Sequence, residues 1–409
     1  MNPPHRNVSG SLYDQLSNER LLTYAFRCIQ RGKKDRPGIK RFAGDDQGQT
    51  SVQQLTERLR SGEYHHGKLN RTEVDKDGDP GSTRPISSPD VEDRVVQRAI
   101  LEIVATPLGF PELSGPKITR PDSKLVRSPF VAIEQLIIEL RHRHYCLLES
   151  DISSFFDSIP KQKLFDEITK RLPDESLNKL IHDVIWFSYK AKKADRGKSK
   201  TLGIAQGSPL SPLFSDLYLE PFDTEIAKAK GTHTIRYVDD FIVVTDSLEH
   251  AKAMRPVVEK SLANLDLGIK ECKTNEIDLR SDALTFLGLK IDCHSVRGKR
   301  TVPQLKERWK SRVLPQSIYQ RGKYKNRYIQ DRKEIIETVN ERLMGWATYL
   351  APYHAREQIN TAYDAVQELI TRRQRPNFPY LDGKLEDFRK ARSKNHIINE
   401  FEWQSLFKK

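Results

Sequence analysis

Cysteine is scarce in this chain. Its 409 residues hold four, Cys28, Cys146, Cys272 and Cys293, and no two form a CxxC pair. That scatter offers neither a disulfide framework nor a structural zinc site. Cys28 and Cys146 lie in apolar runs and read as core. His65-His66 and Cys293-His294 are adjacent pairs, and sequence neighbours do not easily share one tetrahedral ion. Long apolar runs are missing as well. Nothing approaches the roughly 18 consecutive apolar residues that cross a bilayer. The opening MNPPHRNVSG lacks the apolar stretch of a secretory signal. A cytoplasmic protein with no membrane partner is expected. No internal repeat is evident.

Charge, by contrast, is plentiful and one-sided. Lys and Arg number 69 against 56 Asp and Glu, a net +13 with a pI near 9.4. A polyanion partner is the natural inference, because phosphate contacts dominate nucleic-acid affinity. The excess is uneven. Lys306 to Lys333 holds ten Lys/Arg, Arg308, Arg312, Arg321, Lys323, Lys325 and Arg327 among them, against Glu307 and Asp331. Trp309, Tyr319, Tyr324 and Tyr328 are interleaved. Such a stretch can track a backbone while its aromatics stack on bases; a solvated basic linker is the plainer reading. Lys190 to Lys200 reads as a flexible basic insertion.

The acids gather elsewhere. Tyr237-Val238-Asp239-Asp240 lies between Thr234-Ile235-Arg236 and Phe241-Ile242-Val243-Val244, a pattern of two strands and a tight hairpin. Adjacent carboxylates repel unless cations lie between them, and hard oxygens suit Mg²⁺. A solvated turn would need no metal. His144 to Glu149 reads as a buried strand, and Asp151 follows it, where α/β sheets place chemistry. Asp151 and Asp239 could together hold two metal ions about 3.5–4 Å apart. Asp157 reads as a cap or turn acid before a helix near Lys161 to Arg171. Between these segments, Gly203 to Pro212 is a Gly/Pro loop running into a helical pattern over Leu213 to Ala229. Glycines there would let backbone approach a nucleotide closely.

The ordered set DISSFFD, GIAQGSPLSPLFSDLYL, RYVDD, LGIKECKTN and LTFLGLKI resembles reverse transcriptases of the bacterial, group II intron-like kind. Thr83 to Arg98 looks like that group's fingers segment, and Asn340 to Tyr349 like its thumb segment. The resemblance covers about residues 20–350. It implies an α/β (α+β) right-hand polymerase that adds dNTPs to a primer 3′-hydroxyl with two Mg²⁺ ions, Mn²⁺ being a substitute. Asp151, Asp239 and Asp240 match the metal-binding acids, Asp240 the least direct, with the Ile152 carbonyl assisting. Phe156 matches the ring that excludes a 2′-hydroxyl; core packing beside Phe155 is the alternative. Gln206 and Gly207 match the loop lining the nascent base pair. Arg84 matches the triphosphate-contacting arginine, and Lys273 the lysine near the leaving pyrophosphate, unless it is an ordinary surface lysine. Leu287 and Gly288 match the primer grip.

The expected organisation is a loose N-terminus over 1–17, fingers and palm over 18–295, a helical thumb over 296–375 and a tail over 376–409. Helices are expected at Leu16 to Gln30, Val52 to Ser61 and Asp90 to Ala105, with fingers strands around the turn Asp75 to Gly81. Neither an RNase H domain after the thumb nor an HNH nuclease is expected, the latter for want of a Cys/His cluster. Pro116 to Arg127 departs from the intron-type element at that place. The expectation is a stand-alone reverse transcriptase of the defence-associated kind, copying a companion structured non-coding RNA into cDNA. A group II intron-type maturase that only binds RNA, and a template-independent or protein-primed polymerase, are the alternatives.

Overall fold

A computed structural model describes residues 10–31, 36–75, 83–110, 129–142, 144–190, 201–287 and 289–291. The chain divides into two compact units, one of Met1–Val74, Arg84–Glu139 and Cys146–Glu276, the other of Asp75–Thr83, Leu140–Tyr145 and Ile277–Lys409.

The first unit opens with helices. Ser11 caps α1 (Leu12–Leu16): its hydroxyl accepts from the Asp14 N–H, while its own N–H donates to the Asp14 carboxylate at 2.9 Å. This reciprocal box satisfies two donors that a helix start otherwise leaves unpaired. Asn18 caps α2 (Glu19–Gln30) in turn. The loose terminus expected through residue 17 is therefore helical from Leu12, with Leu12 and Leu16 buried, and the single helix expected from Leu16 breaks at Ser17-Asn18. The cause is local capping, which overrides the continuing apolar periodicity. Next come α3 (Pro37–Ala43), α4 (Gln49–Arg60) and α5 (Val91–Val104). Gly48 precedes α4 with φ 89°, and a Cβ there would stand 2.5 Å from the Phe26 ring. Helix α5 buries Val95, Val96, Ala99, Ile100 and Val104, so it runs through the core rather than over it. β1 (Asn70–Asp75) and β2 (Thr83–Ser88) form a two-stranded sheet, as expected of strands flanking Asp75 to Gly81.

After α6 (Pro129–Arg141) comes the sheet that carries the acids. Its order is β4-β5-β3-β6, from β3 (Cys146–Asp151), β4 (Thr232–Tyr237), β5 (Asp240–Thr245) and β6 (Asn275–Asp278). β5 lies between β3 and β4, antiparallel to both. Phe241 to Val244 are completely buried, which is why that strand is continuously apolar instead of alternating. Short α7 (Phe155–Ser158), α8 (Lys161–Arg171), α9 (Asn178–Ile185), α10 (Ser211–Ile226) and α11 (Leu248–Ala263) complete this unit. Phe222 of α10 meets Phe241 of β5 edge to face, centroids 5.3 Å apart. Truncating such a buried ring to alanine costs about 3–5 kcal/mol, so Phe241→Ala would loosen the strand on which Asp240 sits.

In the second unit β7 (Leu284–Phe286) pairs with β8 (Leu289–Ile291) in a hairpin. Leu287, with φ 49°, stands at its tip; Gly288 lies outside the described residues. So do Pro116 to Arg127, the insertion Ala191 to Lys200, and everything from Asp292 on. That includes the expected thumb and tail and the basic positions Arg308, Arg312, Arg321, Lys323, Lys325 and Arg327. No helix among the described residues is long and apolar enough to cross a membrane.

Candidate active site

β3 and β5 bring two acids face to face. Asp151, the last residue of β3, is the register partner of Asp240, the first of β5. The flanking bond, from the Ile152 N–H to the Asp239 carbonyl at 3.1 Å, makes this a non-hydrogen-bonded pair, in which side chains approach most closely. Tyr237 pairs with Asp240, so Val238-Asp239 is a two-residue hairpin loop. Val238 alone of the two has positive φ, 62°, the pattern of a type II′ turn. Asp239 thereby joins Asp151 and Asp240 at one end of the sheet.

The electrostatics show how crowded this end is. Burial, then the charges of Asp151 and Asp240, push the Asp239 carboxyl up to about 6. Burial raises Asp240 as well, with Asp151 adding to it and Lys273 opposing. Glu149, two residues before Asp151 on the same face of β3, is raised chiefly by burial, and Asp240 adds to that. The compensating cation is Lys273. Its ammonium pairs with Asp151 and lies 3.8 Å from Asp240. A short 3₁₀ turn, Glu271–Lys273, places it. The Lys270 N–H donates to the Asp151 carbonyl at 2.7 Å, and Thr274 and Ser150 share a buried hydroxyl bond at 2.8 Å. Burial opposes the lysine's charge, but Asp151 outweighs it and holds the ammonium protonated.

The expected nucleotide-binding residues lie in the same unit. Phe155 is buried to 2% exposure, whereas Phe156 is half-buried and rests on it, centroids 5.3 Å apart. Phe155 belongs to the core, and the partly exposed Phe156 ring packs against that core. Asp157 is exposed in the first turn of α7, in keeping with a turn acid. The Phe156 carbonyl accepts from the Ile204 N–H at 2.8 Å, which ties the Gly/Pro loop to the segment after Asp151. The loop is also pinned to β2: the Ser87 N–H donates to the Gln206 carbonyl at 2.7 Å. At Gly207, with φ 117°, a Cβ would stand 2.7 Å from the Ser87 carbonyl oxygen. Arg84 belongs to β2, three residues before that contact.

Residues 74–291 match the family described as reverse transcriptase (RNA-dependent DNA polymerase). The chain belongs to this family. Its class is that of an RNA-directed DNA polymerase. YkfC of Escherichia coli K12 is 27% identical over 308 residues, 63% of this reverse transcriptase and 76% of that protein. The group II intron-encoded protein LtrA of Lactococcus lactis subsp. cremoris is 26% identical over 196 residues, 47% of this chain but 31% of LtrA. Among solved structures, a partial Cas6-RT-Cas1–Cas2 complex shares 23% identity over 64% of this chain and 43% of that one, with a TM-score of 0.37. Reverse transcriptases work with divalent metal ions, and the donor set here fits one. Asp151, Asp239 and Asp240 offer hard oxygens only, the donors that such ions prefer. Among the described residues the Ile152 carbonyl, beside them, accepts no hydrogen bond.

Sequence reasoning missed several residues around this site. In the sequence Glu149 reads simply as the end of a strand. Tyr189, whose hydroxyl bonds the Ser87 hydroxyl at 2.7 Å, is 102 residues away in sequence. Buried Gln97 of α5 accepts from Ser208 at 2.8 Å, so α5 braces the Gly/Pro loop. Arg236 passed as an ordinary strand residue, yet it is buried. A signal in the sequence is a pair of acids seven apart, Asp216 and Asp223, on one face of α10.

Proposed function

We propose that this reverse transcriptase copies RNA into cDNA through Asp151, Asp239 and Asp240, which would hold two Mg²⁺ ions with help from the Ile152 carbonyl. The observation that carries this reading is the convergence of three carboxylates with one lysine at the end of β3 and β5, where burial and like charge raise Asp239 and Asp240. Bound divalent ions would lower the pKa of the primer 3′-hydroxyl and neutralise charge on the triphosphate. The protein's own groups have distinct tasks. Lys273, kept protonated by Asp151, would meet the leaving pyrophosphate. The half-open Phe156 ring would lie under the sugar and exclude a 2′-hydroxyl, selecting dNTPs. Gln206 and Gly207, held to β2 through Ser87, would line the nascent base pair, with Arg84 on the same strand reaching the triphosphate.

Fingers and palm would occupy 18–295, with the primer grip at Leu287 and Gly288, a thumb over 296–375 and a tail over 376–409. The basic positions from Arg308 to Arg327 would track an RNA duplex. A companion structured non-coding RNA as template, in an antiphage setting, rests on the family resemblance and on the departure at Pro116 to Arg127. Primer extension tests the core of the proposal. A DNA primer on an RNA template should be extended with dNTPs and Mg²⁺, in the order the template dictates. Equal incorporation without any template would overturn RNA-directed copying in favour of terminal transfer. Sequencing of RNA copurified from the host tests the companion: one enriched structured species is expected, and bulk ribosomal and transfer RNA alone would reject it.

A further inference from the structure

Asp239 and Asp240 hang on a turn that does not hold itself. Val238, its first residue, is β-branched and has φ 62°, a region that β-branched residues rarely adopt. The surroundings must impose the turn, and two bonds to its carbonyls do so. One is the bond from the Ile152 N–H to the Asp239 carbonyl already described. The other comes from Arg236, whose Nη1 donates to the Val238 carbonyl at 3.0 Å.

Arg236 is itself held from behind. Its side chain is 5% exposed. Nε and Nη2 form a two-pronged pair with the Asp223 carboxylate at 2.8 and 2.5 Å, and Nη1 also reaches Asp216 Oδ1 at 3.2 Å. Asp216 and Asp223 are seven residues apart in α10, two helical turns, and so face the same way. A planar guanidinium can serve three acceptors at once; a lysine ammonium is a single compact charge. A plain buried ion pair between β4 and α10 would need the two aspartates but no bond to the turn carbonyl.

We propose that Arg236 is a positioning residue for polymerisation: anchored on Asp216 and Asp223, it holds the Val238 carbonyl and so sets Asp239 and Asp240 where they can share metal ions with Asp151. This rests on the catalytic reading of those three acids. Arg236 touches neither substrate nor metal and acts only through the turn.

The test uses the full chain with Arg236→Lys and Asp223→Asn, each scored per folded molecule by circular dichroism melting. Mn²⁺ binding without nucleic acid is read by electron paramagnetic resonance, and kcat and KM for dNTP by primer extension. Arg236→Lys should weaken Mn²⁺ binding about 10-fold or more, as loss of an outer partner does at metal sites. It should lower kcat by about 10–100-fold through misplacement, with KM for dNTP changing less than about twofold. A lowered melting temperature with wild-type Mn²⁺ affinity and kcat would overturn the proposal and leave Arg236 a structural ion pair. If Arg236→Lys does not fold, Asp223→Asn decides, because it breaks the two-pronged anchor and leaves Arg236 itself in place: weaker Mn²⁺ binding supports the proposal and wild-type binding overturns it. Asp239→Ala is the control. Full activity in that variant would refute the catalytic reading itself, whereas loss of activity there with indifferent Arg236 variants would refute the positioning role alone.

Discussion

Replacing Asp239 with asparagine should stabilise the metal-free protein while ending DNA synthesis, and the size of the gain follows from the crowding of carboxylates. A carboxyl raised from 3.8 to about 6 disfavours folding by about 3 kcal/mol at roughly 1.4 kcal/mol per pH unit. Asp239 keeps partial access to water, which screens its charge and brings the cost to about 1–2 kcal/mol. The sign comes from proton counting. Between the unfolded value near 4 and the folded value near 6, the folded chain binds more protons than the unfolded one. Stability therefore falls as pH rises through that window and stays lowered above it. Asparagine cannot ionise and escapes this cost. Differential scanning calorimetry in EDTA at pH 8 should show Asp239→Asn melting about 3–6 °C above wild type, at about 2–4 °C per kcal/mol for a domain of this size. At pH 4.5 the difference should shrink to about a third. Saturating Mg²⁺ should raise the wild type more than the variant, since only the wild type keeps the full ligand set. An unchanged or lower melting temperature for Asp239→Asn at pH 8 in EDTA would refute the reasoning, because it would mean that the clustered charge carries no energetic cost.

Other expectations follow from single contacts. Phe156→Ala should admit rNTPs in primer extension, and an unchanged preference for dNTPs in a folded, active variant would return that ring to packing. Gly207→Ala would put a Cβ 2.7 Å from the Ser87 carbonyl at a φ of 117°. The loop should then part from β2, with KM for dNTP rising by about 10-fold through lost positioning; wild-type steady-state kinetics would count against the loop's role. Neutralising Arg321, Lys323, Lys325 and Arg327 together should weaken RNA binding and flatten the dependence of log affinity on log salt, by a slope of up to about 0.9 per lost phosphate contact. Identical salt slopes would remove that segment from the RNA footprint.

Much of the sheet was legible because its signals are local. Phe241 to Val244 is an unbroken apolar run beside a two-residue turn, and Cys146 to Leu148 ends on acids; both patterns name a strand without outside help. The gathering of Asp151 with Asp239 was also foreseeable, but only as chemistry. The register that sets Asp151 opposite Asp240 depends on pairing across about ninety residues. What escaped sequence reasoning depends on distance or on capping. The split between α1 and α2 turns on two side-chain caps within a continuing apolar pattern. Tyr189 finds Ser87 only after the chain has folded. Arg236 is a charged residue in a strand, and nothing local says that two acids of α10 are waiting for it. Lys273 could be an ordinary surface lysine until Thr274 meets Ser150 and turns it toward Asp151.

The most direct test of the central claim is primer extension by the double variant Asp239→Ala/Asp240→Ala on an RNA template with Mg²⁺, measured beside RNA binding by filter retention. On the proposed reading, removing both hairpin acids would destroy metal placement and leave the basic surface untouched. The account predicts no detectable extension with RNA affinity at the wild-type level. Full-rate extension by a folded double variant would contradict it.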